Sequence, residues 1–336
     1  YTHNWPYDPT AGNTPTPATL VWSFLSILVL FVGSGFVLYV YGQMRAIYPE
    51  PFNEMNGKSG MALTTPDLEE GVVRPTQRAT YKFFVLAMVA FGLQVLAGIL
   101  CATDFVRPMG LFLGDIIPFS VARGYHTLFQ IFWFFMCWVG YTIFFLPRMS
   151  PVPAGQKFLI NLLFTLCMVV AAGSLVGIYL GHKGIISGSL AYWVGSQGWE
   201  FMEPGRLFQV ILLVAFALWI FIIFRAVRPW LTRKTVWSAP AWLLYGSGVM
   251  VFFLFFGLLV TPGSNFAVAD YWRWMVVHMW VEVTFEVFTT VIVAYIMLQM
   301  NFVTRAMAER TIFLAVMMFL FTATIGIAHN FYWIAK

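Results

Sequence analysis

Residues that could bind a metal ion occur inside strongly apolar segments near the end of the chain. His278, Glu282 and Glu286 follow one another at intervals of four residues, and His329 and Asn330 lie in the next apolar segment. Residues four apart share one face of a helix, so an imidazole and two carboxylates are predicted on one face. Nitrogen and oxygen ligands without thiolate suit iron, zinc or manganese.

The segments that carry these residues are predicted to cross a membrane. The 336 residues are 60% hydrophobic and 10% charged, with a mean hydropathy of +0.79, whereas soluble domains have about 25% charged residues. Eight apolar runs are long enough to cross about 30 Å of hydrocarbon as helices. They occupy residues 18–43, 80–102, 124–147, 157–180, 205–228, 240–260, 272–300 and 311–334. The predicted fold is an all-α, polytopic membrane helix bundle with about eight transmembrane helices.

Basic residues are distributed unevenly between the two sides of this predicted bundle. When the side that holds residues 1–17 is called the outer side, 13 of the 19 Lys and Arg residues lie on the inner side. Cytoplasmic loops are enriched in Lys and Arg, which predicts a multi-pass membrane protein whose inner side faces the cytoplasm. The lipid bilayer is therefore a partner. No basic stripe is interleaved with aromatic residues, so no nucleic-acid partner is expected.

The predicted helices place the candidate ligands at similar depths. His278 lies about 9 Å and His329 about 8 Å below the outer surface, at about 1.5 Å per residue, and His126 lies at or slightly above this layer. A metal site is therefore expected in the outer, periplasmic third of the membrane. Each histidine taken alone could instead be a structural residue or part of a proton path. Glu286 lies one turn deeper than Glu282, which suits a proton carrier better than a ligand.

The chain has no visible domain boundary. Its one long polar connection covers residues 44–79 and there is no internal repeat, so residues 1–336 are predicted to form a single membrane domain. Because the chain begins with tyrosine and stops directly after its last apolar run, we expect it to be part of a longer protein. Cys101, Cys137 and Cys167 have no C-x-x-C spacing and are predicted to be packing residues.

Several segments of the chain match motifs of one enzyme family. The run HMWVEVTFE at 278–286 matches H-L-W-V-E-G-x-x-E, and GWEFMEPGR at 198–206 matches G-W-E-Y-x-E-x-G-R. The run ARGYH at 122–126 matches an R-T-W-H haem-ligand segment. With YTHNWP and GNTPT near the start, these segments resemble the bacterial nitric oxide reductases related to haem-copper oxidases, especially their single-chain, quinol-type members.

The resemblance implies part of a haem-copper-oxidase-like catalytic subunit with three cofactors. These are a low-spin haem b, a high-spin haem b3 and a non-haem iron. It implies that His126 is an axial ligand of the low-spin haem, and that His278, Glu282 and His329 are ligands of the iron. The ligand of the high-spin haem, on later helices, and an N-terminal soluble region are expected outside residues 1–336.

The chain departs from this family in two places. The reductases have G-T-G-H-H-Y-Y-W where this chain has I-G-I-A-H-N-F-Y-W, so Asn330 replaces a third histidine ligand. An amide oxygen is a weaker metal ligand than imidazole, so the iron is expected to have an open or weakly held position. The family usually has Gln two residues after the haem histidine. Here Gln130 follows His126 by four residues, and the sequence places no quinol site.

Both departures resemble the nitric oxide dismutases, a branch of the quinol-type reductases to which conversion of two NO into N2 and O2 is attributed. This is the predicted function, with NO as substrate and Glu282, Glu286 and Asn330 as catalytic residues. One alternative is a quinol-dependent nitric oxide reductase that tolerates Asn330, produces N2O and requires quinol. A remote alternative is a proton-coupled membrane transporter whose His and Glu residues carry protons and which binds no haem.

Overall fold

The protein is described by a computed structural model over residues 17–47, 72–105, 113–148, 150–199, 202–300 and 302–331. Only the backbone is described for residues 18–20, 22, 23, 26, 27, 41, 44–47, 103–105, 113, 115, 299 and 324–331. Two π-helices, Met275–Trp280 and Val283–Phe288, lie between the tenth and eleventh α-helices. The α-helices are α1 (Pro17–Ile47), α2 (Pro75–Arg78), α3 (Tyr81–Phe105), α4 (Leu113–Ile116), α5 (Phe119–Phe145), α6 (Gln156–His182), α7 (Gly188–Val194), α8 (Arg206–Val227), α9 (Ala239–Phe255), α10 (Phe266–Trp274), α11 (Thr289–Gln299) and α12 (Arg305–Phe331).

Seven helical segments of the described part of the chain are long and apolar enough to cross a membrane. They confirm the predicted all-α bundle and seven of its eight predicted spans. The eighth prediction, 18–43, coincides with α1, whose described apolar part, Leu28–Val40, is shorter than a complete span. The seven segments are Pro75–Ala102, Phe119–Arg148, Gln156–His182, Arg206–Trp230, Ala239–Leu259, Phe266–Leu298 and Arg305–Ala323.

Helix ends differ from the prediction where polar residues extend an apolar span. α5 begins at Phe119 rather than at residue 124, and α12 begins at Arg305 rather than at residue 311. The short helix α2 lies within the connection predicted to be polar. Its first residue is Pro75, whose fixed φ favours the first helical position, where no backbone donor is needed. A hydropathy window cannot detect such ends because it reports only the apolar centre.

Aromatic side chains fill the centre of the bundle. The Trp219 side chain of α8 is fully buried and donates its indole N–H to Thr142 Oγ1 of α5 at 3.0 Å. Phe135 of α5 stacks on Trp280, with ring centroids 5.4 Å apart and planes 12° apart. Association between helices in lipid depends on such close packing, because the acyl chains are as apolar as the side chains. The Phe135–Trp280 contact fixes the first π-helix against α5, and the Trp219–Thr142 hydrogen bond joins α8 to α5.

Several other helices enclose the two π-helices. α9 packs along both of them, and α12 packs against the second one and against α11. α1 packs against α12, and Ser34 Oγ of α1 donates to Met318 Sδ of α12 at 3.8 Å. The most extensive helix pair is α3 with α5. His126 therefore lies on a helix of the most extensive contact, and the π-helical segment that carries His278 and Glu282 packs against α9 and α12.

Candidate metal centre and haem site

The predicted regular helix at 272–300 contains two π-helical turns. His278 lies in the first, Glu286 lies in the second, and Glu282 lies between them. The expectation of one uniform α-helical face is therefore wrong for this segment. π-Turns inside α-helices are rare and occur frequently at functional sites, because they re-aim side chains that a regular helix would place elsewhere. The segment contains neither Gly nor Pro, so its residue types carry no signal of the irregularity.

The side chains of His278 and Glu282 lie close together, as their spacing predicted. His278 Nε2 is 3.3 Å from Glu282 Oε2. The Trp274 ring stacks on the His278 ring, with centroids 4.2 Å apart and planes 8° apart, and so limits the orientations of the imidazole. Thr322 of α12 donates its hydroxyl to Glu282 Oε1 at 2.7 Å. The carboxylate is thus held between two helices and beside an imidazole nitrogen.

This arrangement fits a metal ion with nitrogen and oxygen ligands. Glu282 Oε2 is buried and has no hydrogen-bond partner among the described residues. A buried carboxylate oxygen without a partner is costly, and an ion bound beside His278 Nε2 would satisfy it. In the described part of the chain no cluster of three or more His, Cys, Asp and Glu side chains converges. The described part of the site is therefore this one pair.

The other predicted site residues of this region are placed differently. The Glu286 side chain is exposed on the surface of the described bundle, whereas Glu282 is mostly enclosed. The carboxylates therefore occupy different environments although they are four residues apart. The backbone of α12 is helical through Phe331, so His329 and Asn330 belong to this helix. Their side chains lie outside the described residues.

His126 lies at an interhelical contact between α5 and α3. Its Nδ1 is 2.9 Å from the backbone oxygen of Gln94, which makes Nδ1 the hydrogen-bond donor. Gly98 faces the imidazole, and a Cβ atom at this position would lie 3.0 Å from His126 Cε1. Ligating histidines commonly donate their second ring nitrogen to a carbonyl, which fixes the tautomer. The arrangement fits an axial haem ligand that binds through Nε2. Sequence analysis missed both Gln94 and Gly98.

The described residues of the GWEFMEPGR segment, 198, 199 and 202–206, connect to α8 and are anchored by Arg206. The Arg206 guanidinium is buried, and it donates to Tyr192 Oη at 2.9 Å, to Gly257 O at 3.0 Å and to Val260 O. Gln209 donates to the backbone oxygens of Met202 and Pro204 at 2.7 and 2.9 Å. A buried guanidinium needs several such acceptors. The motif arginine thereby fixes the loop between α7 and α8.

The loop presents Glu203 to a histidine for which sequence analysis assigned no role. Glu203 Oε1 and Ser196 Oγ both lie 3.2 Å from His182 Nε2. Gly124 of α5 lies directly against the carboxylate, since a Cβ atom there would be 2.5 Å from Glu203 Oε1. The close approach explains why a glycine stands two residues before His126. This outer cluster therefore lies close to the candidate haem ligand.

An apolar cavity of about 60 Å³ extends along α5 between α6 and α8. Glu203 and Thr127, the residue after His126, line its outer part, and Trp280, two residues after His278, also lines it. The remaining lining is almost entirely aliphatic and aromatic. A small uncharged molecule could occupy this cavity without losing hydrogen bonds to water. The cavity adjoins both helical segments that carry candidate ligands.

Replacing Thr322 with valine is expected to destabilise the contact between α12 and the π-helical segment. The change removes the only described hydrogen bond to the Glu282 carboxylate while keeping the side-chain volume. We expect a loss of about 1 to 2 kcal/mol in the free energy of unfolding, measured by thermal unfolding in detergent. The matched control is Thr311→Val, because the Thr311 hydroxyl bonds only its own helix at Met307 O. Equal stabilities for the two variants would contradict the role of Thr322.

Comparison with known families identifies a membrane protein of the haem-copper oxidase type. Residues 78–336 match the sequence profile of the family described as Cytochrome C and Quinol oxidase polypeptide I, and the chain belongs to this family. It is also similar to a nitric oxide reductase subunit of Stutzerimonas stutzeri, with 27% identity over 261 residues. This match covers 77% of the chain and 53% of the relative. The chain therefore spans about half the length of that curated relative.

Proposed function

We propose that this chain is part of an enzyme that dismutates nitric oxide, converting two NO into N2 and O2 at a haem and non-haem iron centre. The relative from Stutzerimonas stutzeri supports NO as the substrate, and membership of the oxidase family supports haem and iron as cofactors. The observation that carries the finer proposal is Asn330. It stands where the resembling reductases have a third histidine ligand.

The residues of the metal centre have distinct roles in this proposal. His278, Glu282 and His329 hold the non-haem iron, and the Asn330 amide is a weak fourth ligand. Thr322 fixes the Glu282 carboxylate, and Trp274 fixes the imidazole plane of His278. Seven residues, about two helical turns, separate Thr322 from His329, which favours the same side of α12 for both. The iron and the haem b3, when bound, would together supply the metal chemistry that binds and couples NO.

The proposed haem site uses His126 as one axial ligand of the low-spin haem b. The Gln94 backbone oxygen fixes the tautomer by accepting from Nδ1, and Gly98 leaves room for the ring. The apolar cavity beside Thr127 and Trp280 suits an uncharged diatomic substrate that partitions into hydrocarbon. The protein would lie in the bacterial inner membrane with the metal centre in its outer third.

The balance of the reaction separates dismutation from reduction. Dismutation of two NO to N2 and O2 needs no external electrons or protons. Reduction of two NO to N2O and water consumes two electrons and two protons. In the second case the exposed Glu286 carboxylate would carry protons, and quinol would supply electrons. The similarity to a nitric oxide reductase favours this alternative, whereas Asn330 and the displaced Gln130 favour dismutation.

The test is gas analysis by mass spectrometry after 15N-labelled NO is added to the intact purified protein without oxygen or electron donor. We expect labelled N2 and an equal amount of O2. The Asn330→His variant restores the imidazole of the reductases, so it is expected to shift the product toward N2O when quinol is present. Asn330→Ala is the control, because it removes the amide without adding a ligand.

Two outcomes would decide against dismutation. Labelled N2O formed by the unaltered protein only when quinol is added would assign it to the reductases. Identical products for Asn330→His and the unaltered protein would remove Asn330 from the explanation. A preparation without any haem absorption would instead favour the transporter alternative.

A further inference from the structure

Two lysines on the lipid-facing side of α3 and α6 lie far along the chain from the candidate metal centre. Lys82, the second residue of α3, donates to Asn161 Oδ1 of α6 at 2.5 Å. Lys157 lies one turn before Asn161, on the same face of α6. Lys82 and Lys157 are therefore both neighbours of the Asn161 side chain, at the predicted inner ends of two spans. Because like charges repel, this arrangement favours an anion bound between them.

The Lys82 ammonium group lies against α6, 4.7 Å from the centre of the Phe164 ring. Phe164 is three residues after Asn161, so both contacts of the ammonium group lie within one turn of α6. Lysines near helix ends usually extend toward water. A cation held instead against the surface of a neighbouring span at the membrane interface is favourably placed to bind an anionic headgroup.

The helices that form this lysine pair contain almost no acidic residues of their own. α2 and α6 have no Asp or Glu, and α3 has only Asp104, at its opposite end. The compensating negative charge must therefore come from outside these three helices. This charge imbalance is a property of the sequence and does not depend on any side-chain rotamer.

Apolar side chains continue the same surface toward the middle of the membrane. Val85 and Met88 of α3 and Leu162 and Val169 of α6 are all exposed on the described bundle. Tyr81, at the level of the lysines, is also exposed, as aromatic residues at membrane interfaces commonly are. Cations at the membrane interface match the anionic headgroup of a phospholipid, and the apolar surface beside them matches its acyl chains.

We propose that Lys82, Lys157 and Asn161 bind the headgroup phosphate of an anionic phospholipid in the inner leaflet, whose acyl chains lie along α3 and α6. Ammonium groups are strong donors to phosphate oxygens, and basic sites between helices on the inner side suit anionic headgroups. The Asn161 side chain positions Lys82 toward the phosphate. The proposal is independent of the chemistry at the metal centre.

The test compares retention of phosphatidylglycerol by the purified protein and its variants. Each protein is incorporated into phosphatidylcholine nanodiscs that contain phosphatidylglycerol, and the lipid that survives delipidation is counted by native mass spectrometry. Each lysine near an anionic surface contributes about fivefold to affinity. Lys82→Gln and Lys157→Gln are each expected to retain phosphatidylglycerol about fivefold less well, and Lys82→Arg is expected to retain it.

Two further variants distinguish a defined site from general attraction. Arg233→Gln removes an exposed inner-side cation outside the site and is expected to leave retention unchanged. Asn161→Asp places a carboxylate beside Lys82 without removing a lysine, so it is expected to expel the anionic lipid from a folded protein. Equal retention by all variants, or an equal loss in Arg233→Gln, would overturn the proposal. The proposal would also be overturned if the unaltered protein retained phosphatidylglycerol no better than phosphatidylcholine. Acidic residues elsewhere in the chain would then neutralise the lysines.

Discussion

The Glu282→Ala variant of the intact protein is expected to lose most of its non-haem iron while keeping its haem. The Glu282 carboxylate has one oxygen bonded to Thr322 and the other, without a described hydrogen-bond partner, beside His278 Nε2. Replacing residues that merely orient a ligand costs about 10- to 100-fold in metal affinity, so removing the ligand itself should cost at least as much. The ratio of iron to haem, determined by metal analysis, measures the effect.

Glu286→Ala is the matched control for this experiment. Glu286 is also a glutamate of the π-helical segment, but its side chain is exposed on the described bundle. The Glu286→Ala variant is expected to keep the iron. It should lose activity only if the reaction is the reduction of NO, which consumes protons. A full complement of iron in Glu282→Ala would exclude Glu282 as a ligand. Equal iron loss in both variants would indicate general disruption of the helix.

The His126→Ala variant is expected to lose the low-spin haem signal completely. An axial histidine cannot be replaced by a methyl group, and the Gln94 carbonyl would lose the Nδ1 donor that orients the ring. The low-spin bands in the absorption and electron paramagnetic resonance spectra measure this loss. The high-spin haem, which His126 does not bind in the proposed site, should remain detectable.

His182→Ala is the control for the haem experiment. His182 is paired with Glu203 and Ser196 rather than with the Gln94 carbonyl, so its removal should leave the low-spin signal intact. A second variant, Gly98→Val, would crowd the His126 ring through a Cβ atom only 3.0 Å from Cε1, and should shift the spectrum without abolishing it. A normal low-spin spectrum in His126→Ala would refute the assignment.

Most of the transmembrane fold could be predicted because hydropathy and length are properties of single segments. An apolar run of more than twenty residues has few stable conformations in lipid other than a helix. The ends were less accurate, as at Phe119 and Arg305, because polar residues continue a helix beyond its apolar part. Which helices touch was not predictable from one sequence. The contact of α12 with the second π-helix depends on packing between segments far apart in the chain.

The candidate site was predictable only where its residues are neighbours in sequence. The spacing of His278 and Glu282 predicted their contact, which the structure shows at 3.3 Å. Thr322 was missed because it lies 40 residues from Glu282 and has no unusual chemistry of its own. The Gln94 carbonyl was missed because any residue type supplies a backbone oxygen. The roles of His126, His278, Glu282, Glu286, His329 and Asn330 stay predictions.

The two π-helices also change the angular phase of the chain. Each π-turn contains about one residue more than an α-turn, so it offsets all later residues by about 100°. Two such turns offset α11 from α10 by about 200°, more than half a revolution. On the two sides of the π-helices, Trp272 contacts Phe256, at 5.3 Å, and Tyr295 contacts Phe145, at 6.2 Å. The candidate ligands lie between these two interfaces, so an insertion or deletion there would misalign both at once.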